Sequence, residues 1–266
     1  MSSAVTLTAV NHVYPARGKT GEVHAVGSID LELSPGEFFT IVGPSGCGKS
    51  TLLEIVAGLQ GCTSGQVMVD CRQVAGKVPD GVGVVFQEDA CFPWLTAHEN
   101  IAFALRRRKL ERAEVAGRVD RVLDFLDLQD FRNAYPTQLS GGMRQRVCLG
   151  RILVLEPKLI LLDEPFGKLD QQTRLLMGDE MLRLWRASGA TIMLITHSLD
   201  EAALLSDRVG VMSARPGRFI DILETGWPRE RSSAMVCDPR YGELTARLWS
   251  SLRSEAASSV ALENRA

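Results

Sequence analysis

The sequence predicts an α/β protein: a parallel sheet with helices packed on it, interrupted by a mainly helical insertion. Three observations carry this. The segment GPSGCGKST at 43–51 stands between the apolar run Phe38–Val42 and a stretch whose apolar residues fall at helical spacing. Strand-like runs return at 158–162 and 191–196 with a helical pattern between them, and such alternation builds parallel sheets. From about 89 to 155 the β-branched runs disappear, and Val115, Val119, Val122, Leu123 and Leu126 recur at helical spacing.

With 266 residues, 45% of them hydrophobic, the chain can bury one large core with a modest insertion. The expected division is a first core part at 1–88, a helical subdomain at 89–155, a second core part at 156–228 and a short tail at 229–266. The tail reads as a short helix with Tyr241, Leu244, Leu248 and Leu252 on one face, fraying from about Ala256. A net charge of −2 offers no global basic field, so no nucleic-acid partner is expected. The six cysteines are scattered without C-x-x-C spacing, which argues against a disulfide framework or zinc site and fits a reducing cytosol. The N-terminal residues lack a signal-peptide pattern, and no apolar run reaches the ~18–20 residues needed to span a bilayer. A role at a membrane would need an anchor borrowed from a partner.

Along the chain, a turn at Pro35-Gly36 precedes the buried strand 38–42, and the next segment fits a phosphate-binding loop from Gly43 to Ser50. Gly43, Pro44, Ser45, Gly46, Cys47, Gly48, Lys49, Ser50 and Thr51 form the glycine-rich turn, whose backbone N–H groups cradle phosphates. Lys49 supplies a point charge for the β- and γ-phosphates, Ser50 a hydroxyl ligand for Mg²⁺, and the helix start a positive dipole end. Leu52, Leu53, Ile55, Val56 and Leu59 then fall at helical spacing, with Gly58 and Gly61 as a stop.

LSGGMRQR at 139–146 is a second anion-binding helix start: Ser140 is a good N-cap, and Gly141 and Gly142 let an anion approach the first N–H groups. In LILLDEP at 159–165, strand alternation sends Asp163 and Glu164 to different sides. Asp163 then suits Mg²⁺ and Glu164 faces an attacking water, which a positioned carboxylate can activate. Two acids at a strand end are common; a phosphate loop in the same sheet gives them meaning. His197 follows the next strand, where Ser198 and Glu201 form a capping box, and it can donate to a γ-phosphate.

In this order, across about residues 5–225, these elements resemble the ATP-binding cassette of ABC transporters. The resemblance implies a RecA-like P-loop NTPase core with an inserted helical subdomain and an antiparallel β edge region. It implies ATP and Mg²⁺ as ligands, Tyr14 stacked on adenine, and Gln87 sensing Mg²⁺ at the junction with the helical subdomain. It further implies two cassettes arranged head to tail, communicating through Leu169-Asp170. Ser140, Gly141 and Gly142 would close over the γ-phosphate held by Lys49 of the partner subunit. Met143, Lys168 and Ser198 depart from common family residues without removing a group the chemistry requires.

A narrower resemblance lies in QEDACFPWLTAHENIAFAL (87–105), DEPFGKLD (163–170), MSARPGR (212–218) and DPRYGELTARLWSSLR (238–253). These are similar to importer ATPases for taurine, aliphatic sulfonates and nitrate, although importers of thiamine precursors share much of the pattern. The resemblance implies a homodimer under two permease subunits on the cytoplasmic face of the inner membrane, fed by an extracytoplasmic solute-binding protein. Phe92, Pro93, Trp94 and Leu95 then form either part of the permease-docking surface or the subdomain's own core. The basic run at 106–109 is a solvated helix face or lies near anionic headgroups. Two rivals stand beside the importer. A soluble ABC-type ATPase of DNA repair or translation usually carries a long coiled coil or two cassettes, which this chain lacks. A nucleotide sensor without turnover would not need Glu164 and His197.

Overall fold

Two sheets enclose the helix that follows the glycine-rich loop. The computed structural model describes residues 2–15, 21–86, 91–167 and 169–263. In chain order, β1 (Val5–Tyr14) and β2 (Val23–Leu33) form an antiparallel pair, followed by β3 (Phe38–Val42) and α1 (Lys49–Val56). β4 (Ser64–Val69) and β5 (Arg72–Gln73) complete an antiparallel sheet of order β2-β1-β4-β5. β6 (Val82–Val85) leads into α2 (Ala97–Phe103), α3 (Arg112–Phe125) and α4 (Gly141–Leu153). The chain returns through β7 (Leu159–Asp163), α5 (Gln171–Ser188), β8 (Thr191–Ile195), α6 (Leu199–Leu205), β9 (Arg208–Met212), β10 (Phe219–Glu224) and α7 (Pro239–Glu263).

The second sheet has the order β10-β9-β3-β8-β7-β6 and is parallel except for β10, which runs antiparallel to β9. Every residue of β3 and β8 is buried, as expected of parallel strands covered on both faces. One face packs with β1, β2 and α1 into a core containing Leu7, Ile29, Leu52, Leu53 and Ile41; the other packs Phe38 and Leu162 against Trp185 of α5. The inserted helices have a cluster of their own around Ile101, Val119, Leu123, Leu126 and Val147.

The elements depart from the sequence expectation in three places. α1 stops at Val56 because Gly58 turns left-handed (φ 72°), where a Cβ would collide with the Lys77 carbonyl; Leu59 therefore leaves the helix and is 49% exposed. Ser198 accepts from the Glu201 N–H at 3.3 Å, but the Glu201 carboxylate pairs with Arg174, leaving half a capping box. The tail helix does not fray at Ala256 but continues to Glu263, since Ala, Leu and Glu keep its propensity high. Its Leu244, Leu248 and Leu252 pack with Trp227, Val209 and Val211.

Candidate functional site

β3 delivers the chain into the glycine-rich loop, and the loop's shape depends on two left-handed glycines. Gly46 has φ 69°; Gly48 has φ 110° and sits so close to the Ala25 carbonyl that a Cβ would collide with it. Gly48 is also the N-cap of α1 and offers no side chain, so the first N–H groups of that helix face the cleft uncapped. Lys49 is nearly buried; its Nζ donates to the carbonyls of Gly43 and Pro44 at 2.8 and 2.9 Å, which holds the ammonium over the loop. Cys47 points inward, 1% exposed, its thiol pushed up by burial, so Cys47 and Pro44 serve the loop through their backbones.

A cleft of about 680 Å³ opens above the loop. It brings together Tyr14, Ser45, Lys49, Ser50, Thr51, Glu164 and His197. The Tyr14 hydroxyl lies 3.1 Å from Thr51 Oγ1 and donates to Gln60 Oε1 at 3.3 Å, fixing the ring at the cleft wall. Arg215, which has no role in the sequence reading, closes the opposite side: its Nε and Nη2 donate to the Gly46 carbonyl at 3.1 and 2.8 Å. The signal for it lay in the MSARPGR segment; Gln60 had none.

The acids and the histidine come from the ends of neighbouring strands, since β3, β8 and β7 are adjacent in the sheet. At ~4.8 Å per strand, the ends of β7 and β8 set Asp163 and His197 side by side, and Ser50 of α1 reaches Asp163 with its hydroxyl. Asp163 ends β7, accepts a hydrogen bond from Ser50, and has its carboxyl pushed up, first by burial and further by the Glu164 charge. Glu164 is not placed by strand alternation: it adopts φ 45°, its N–H donating to the Ile195 carbonyl at 2.9 Å. A left-handed glutamate is strained backbone, and the turn is closed by the Gly167 N–H, which donates to the Glu164 carbonyl at 3.2 Å. The turn aims Glu164 Oε2 at His197 Nδ1, 3.2 Å away, with His197 56% exposed at the cleft.

The donor set at Ser50 and Asp163, one hydroxyl and one desolvated carboxylate, suits a hard cation that takes its other ligands from phosphates and water. Among the described residues no group of three or more His, Cys, Asp or Glu side chains could hold a metal, so no all-protein cage competes with that arrangement.

Ser140 caps α4 as expected, its Oγ accepting from the Met143 N–H at 3.2 Å. Gly141 and Gly142, however, face the start of α5, near Leu169 and Thr173, and none of the three lines the cleft. Asp170 caps α5 through Thr173, at 3.0 Å to its N–H and 2.6 Å to its hydroxyl. The two anion-binding helix starts therefore do not converge within one chain. Gln87 and Lys168 lie outside the described residues. At the insertion, Phe92 is half-buried against Phe103, whereas Pro93 and Trp94 are exposed, Trp94 by 69%. Among the described residues no helix is long and apolar enough to cross a membrane.

Known proteins share this arrangement. Residues 26–167 match the family described as ABC transporter. The chain is 46% identical over 203 residues to the taurine import ATP-binding protein of Pelagibacter ubique, covering 76% of each chain. It is 41% identical over 214 residues to the aliphatic sulfonates import ATP-binding protein of Bacillus cereus strain ZK / E33L, covering 80% of this chain and 84% of the relative. A putative ATP-binding protein of Brucella abortus is 42% identical over 225 residues, 85% of this chain and 86% of its own. Among solved structures, a dimeric ATP-binding cassette in a post-hydrolysis state with ADP and Pi superposes with a TM-score of 0.72 at 30% identity, covering 84% of this chain and all of that one.

Proposed function

The chain belongs to the ABC transporter family as one of its ATP-hydrolysing cassettes, and from that premise we propose that it drives uptake of a small sulfonate, taurine first, through a membrane permease. The observation that carries the catalytic part is the one cleft that holds Lys49, Ser50, Glu164 and His197 together, with Asp163 hydrogen-bonded to Ser50.

In this reading the ATP phosphates lie on the start of α1, against Lys49, with the adenine on Tyr14. Ser50 and Asp163, together with Gln87, would hold Mg²⁺, which neutralises charge on the phosphate oxygens. Glu164 polarises the attacking water or takes its proton, and His197, whose ring lies beside Glu164, donates to the γ-phosphate. Because Ser140, Gly141 and Gly142 lie away from this cleft, the second phosphate-binding helix start is available to a partner subunit, and a head-to-tail homodimer completes two sites. The solved cassette with ADP and Pi is dimeric, which supports this assembly.

The solute rests on the relatives named for taurine and aliphatic sulfonates. Two permease subunits would anchor the chain at the cytoplasmic face of the membrane, with exposed Pro93 and Trp94 available for docking, and an extracytoplasmic binding protein would select the solute. Two experiments test the reading. Detergent pull-down of the tagged chain should recover a multispanning permease encoded beside it; ribosomes or nucleic acid in its place would reject the importer. Calorimetry on the neighbouring solute-binding protein should show preference for taurine over solutes of similar size without a sulfonate, and the reverse order would reject the sulfonate.

A further inference from the structure

Two cysteines from distant parts of the sequence meet inside the helical insertion. Cys91 Sγ lies 3.4 Å from Cys148 Sγ, and also donates to the Arg144 carbonyl at 3.5 Å. Cys148 sits on α4, eight residues after Ser140, whereas Cys91 precedes Phe92 on the chain that enters the insertion from β6. The backbone next to Cys91 is held by α2: Asn100 accepts from the Phe92 N–H at 2.8 Å and donates to the Phe92 carbonyl at 3.2 Å. The sulfur contact thus links two separately anchored pieces of backbone.

We propose that Cys91 and Cys148 form a redox modification site, closing to a disulfide in the presence of a hydroperoxide and slowing ATP turnover while closed. The sulfurs need to approach by little more than 1 Å to reach the ~2.05 Å of a disulfide. Cys91 is half-buried and the more accessible; Cys148 is 7% exposed and lines an apolar cleft of about 320 Å³. Cys91 attacks the peroxide O–O bond and becomes a sulfenic acid with loss of water. Cys148 then displaces a second water from that sulfur. Two thiols and one hydrogen peroxide give one disulfide and two waters; the thiols lose the two electrons that the peroxide gains. A dithiol reductant reverses the bond by exchange. In a reducing compartment such a bond is transient, as suits a sensor rather than a staple.

The effect on turnover follows from where the bond falls, and rests on the shared two-subunit site proposed above. α4 carries Ser140, which must close over a partner's nucleotide and release it in each cycle, and such closures are gated by small rearrangements of the element concerned. A covalent tie between α4 and the entering chain fixes one arrangement of the insertion.

The test uses the purified full-length protein, treated with hydrogen peroxide and then alkylated. Mass spectrometry should find a linked peptide pair containing Cys91 and Cys148, with ATP turnover lowered about fivefold or more, the lower end of ordinary coupling strengths. Dithiothreitol should restore turnover. Cys148→Ala and, as a second variant, Cys91→Ala should show neither the link nor the dithiol-reversible loss, each compared with its own reduced form. Absence of the linked pair, a link that leaves turnover unchanged, or an equal reversible loss in both variants would overturn the proposal. The shared site is judged separately, by whether Ser140→Arg in a Glu164→Gln background blocks ATP-driven dimerisation without blocking ATP binding; failure there leaves the sulfur chemistry standing on the linked peptide.

Discussion

Replacing Glu164 with glutamine separates chemistry from binding. The substitution keeps side-chain length and the left-handed backbone at φ 45°, so the strain at this position is the same in both proteins. A glutamine amide can both donate and accept, so it can still hydrogen-bond His197, whose contact with Glu164 spans 3.2 Å. Because His197 is 56% exposed, its ionic part contributes less than ~1 kcal/mol. A loss of that size lowers the melting temperature of a chain this long by no more than about 2–4 °C. The general base, in contrast, supplies about 10²–10⁴ in rate. At 1.36 kcal/mol per decade that is roughly 2.7–5.4 kcal/mol of barrier, several times the stability effect. The expected variant is therefore folded, binds ATP with near-normal affinity by calorimetry, and releases phosphate at least about a hundredfold more slowly. With hydrolysis blocked, Mg-ATP should hold it as a dimer in size-exclusion chromatography with light scattering. A Glu164→Gln protein hydrolysing within about threefold of wild type would refute the assignment of Glu164 as the base.

Further expectations concern the loop and the floor of the cleft. Lys49→Ala removes a charge-assisted contact worth about 1.5–3 kcal/mol, so ATP affinity should fall roughly tenfold to a hundredfold by calorimetry. Arg215→Ala frees the Gly46 carbonyl held at 2.8 and 3.1 Å, and should raise KM for ATP by more than it lowers kcat, since Arg215 shapes the loop without touching Glu164 or His197. Asp163→Asn should raise the melting temperature of the nucleotide-free protein at pH 7.5 while abolishing Mg²⁺-dependent turnover. The sign follows from burial: a carboxyl pushed up in the folded state favours folding while protonated, and loses that contribution as pH rises through its folded value. The gain in Asp163→Asn should therefore shrink on acidification, as followed by melts across a pH series.

The order of motifs made the centre of the site legible, because each motif also fixes local backbone. The apolar run 38–42, the glycine loop and the following periodicity could only be strand, turn and helix, and they placed Lys49 without further information. Asp163 and His197 were equally readable as strand-end residues once β7 and β8 were recognised. The aim of Glu164 was not, since a pleat was assumed where a left-handed turn closed by the Gly167 N–H stands. Arg215 was hidden for a different reason: its segment has neither period, and its partner is a backbone carbonyl 169 residues away. Leu59 was misplaced because apolar spacing continued past a glycine that the Lys77 carbonyl confines to the left-handed region. Ser140, Gly141 and Gly142 were found as a helix start, but local spacing did not show that the two glycines lie near Leu169 and Thr173 at the start of α5, outside the cleft.

Gly83 in the middle of β6 has a consequence for movement. A Cβ there would run into Ile152, so the bare strand is what lets α4 lie directly on it. The insertion departs beyond Val85 and rejoins at Leu159, and these positions lie at opposite ends of the paired strands β6 and β7, since Val82 is level with Leu159 and Val85 with Leu162. The two chain crossings are not its sole attachments: Leu149 and Ile152 of α4 pack into the core cluster with Phe38 and Val85, and Arg183 of α5 donates to the Phe125 carbonyl of α3. A bulkier residue at 83 would push α4 off the strand, and Ser140, the N-cap of that helix almost sixty residues further along the chain, would move with it while Lys49, Glu164 and His197 keep their places.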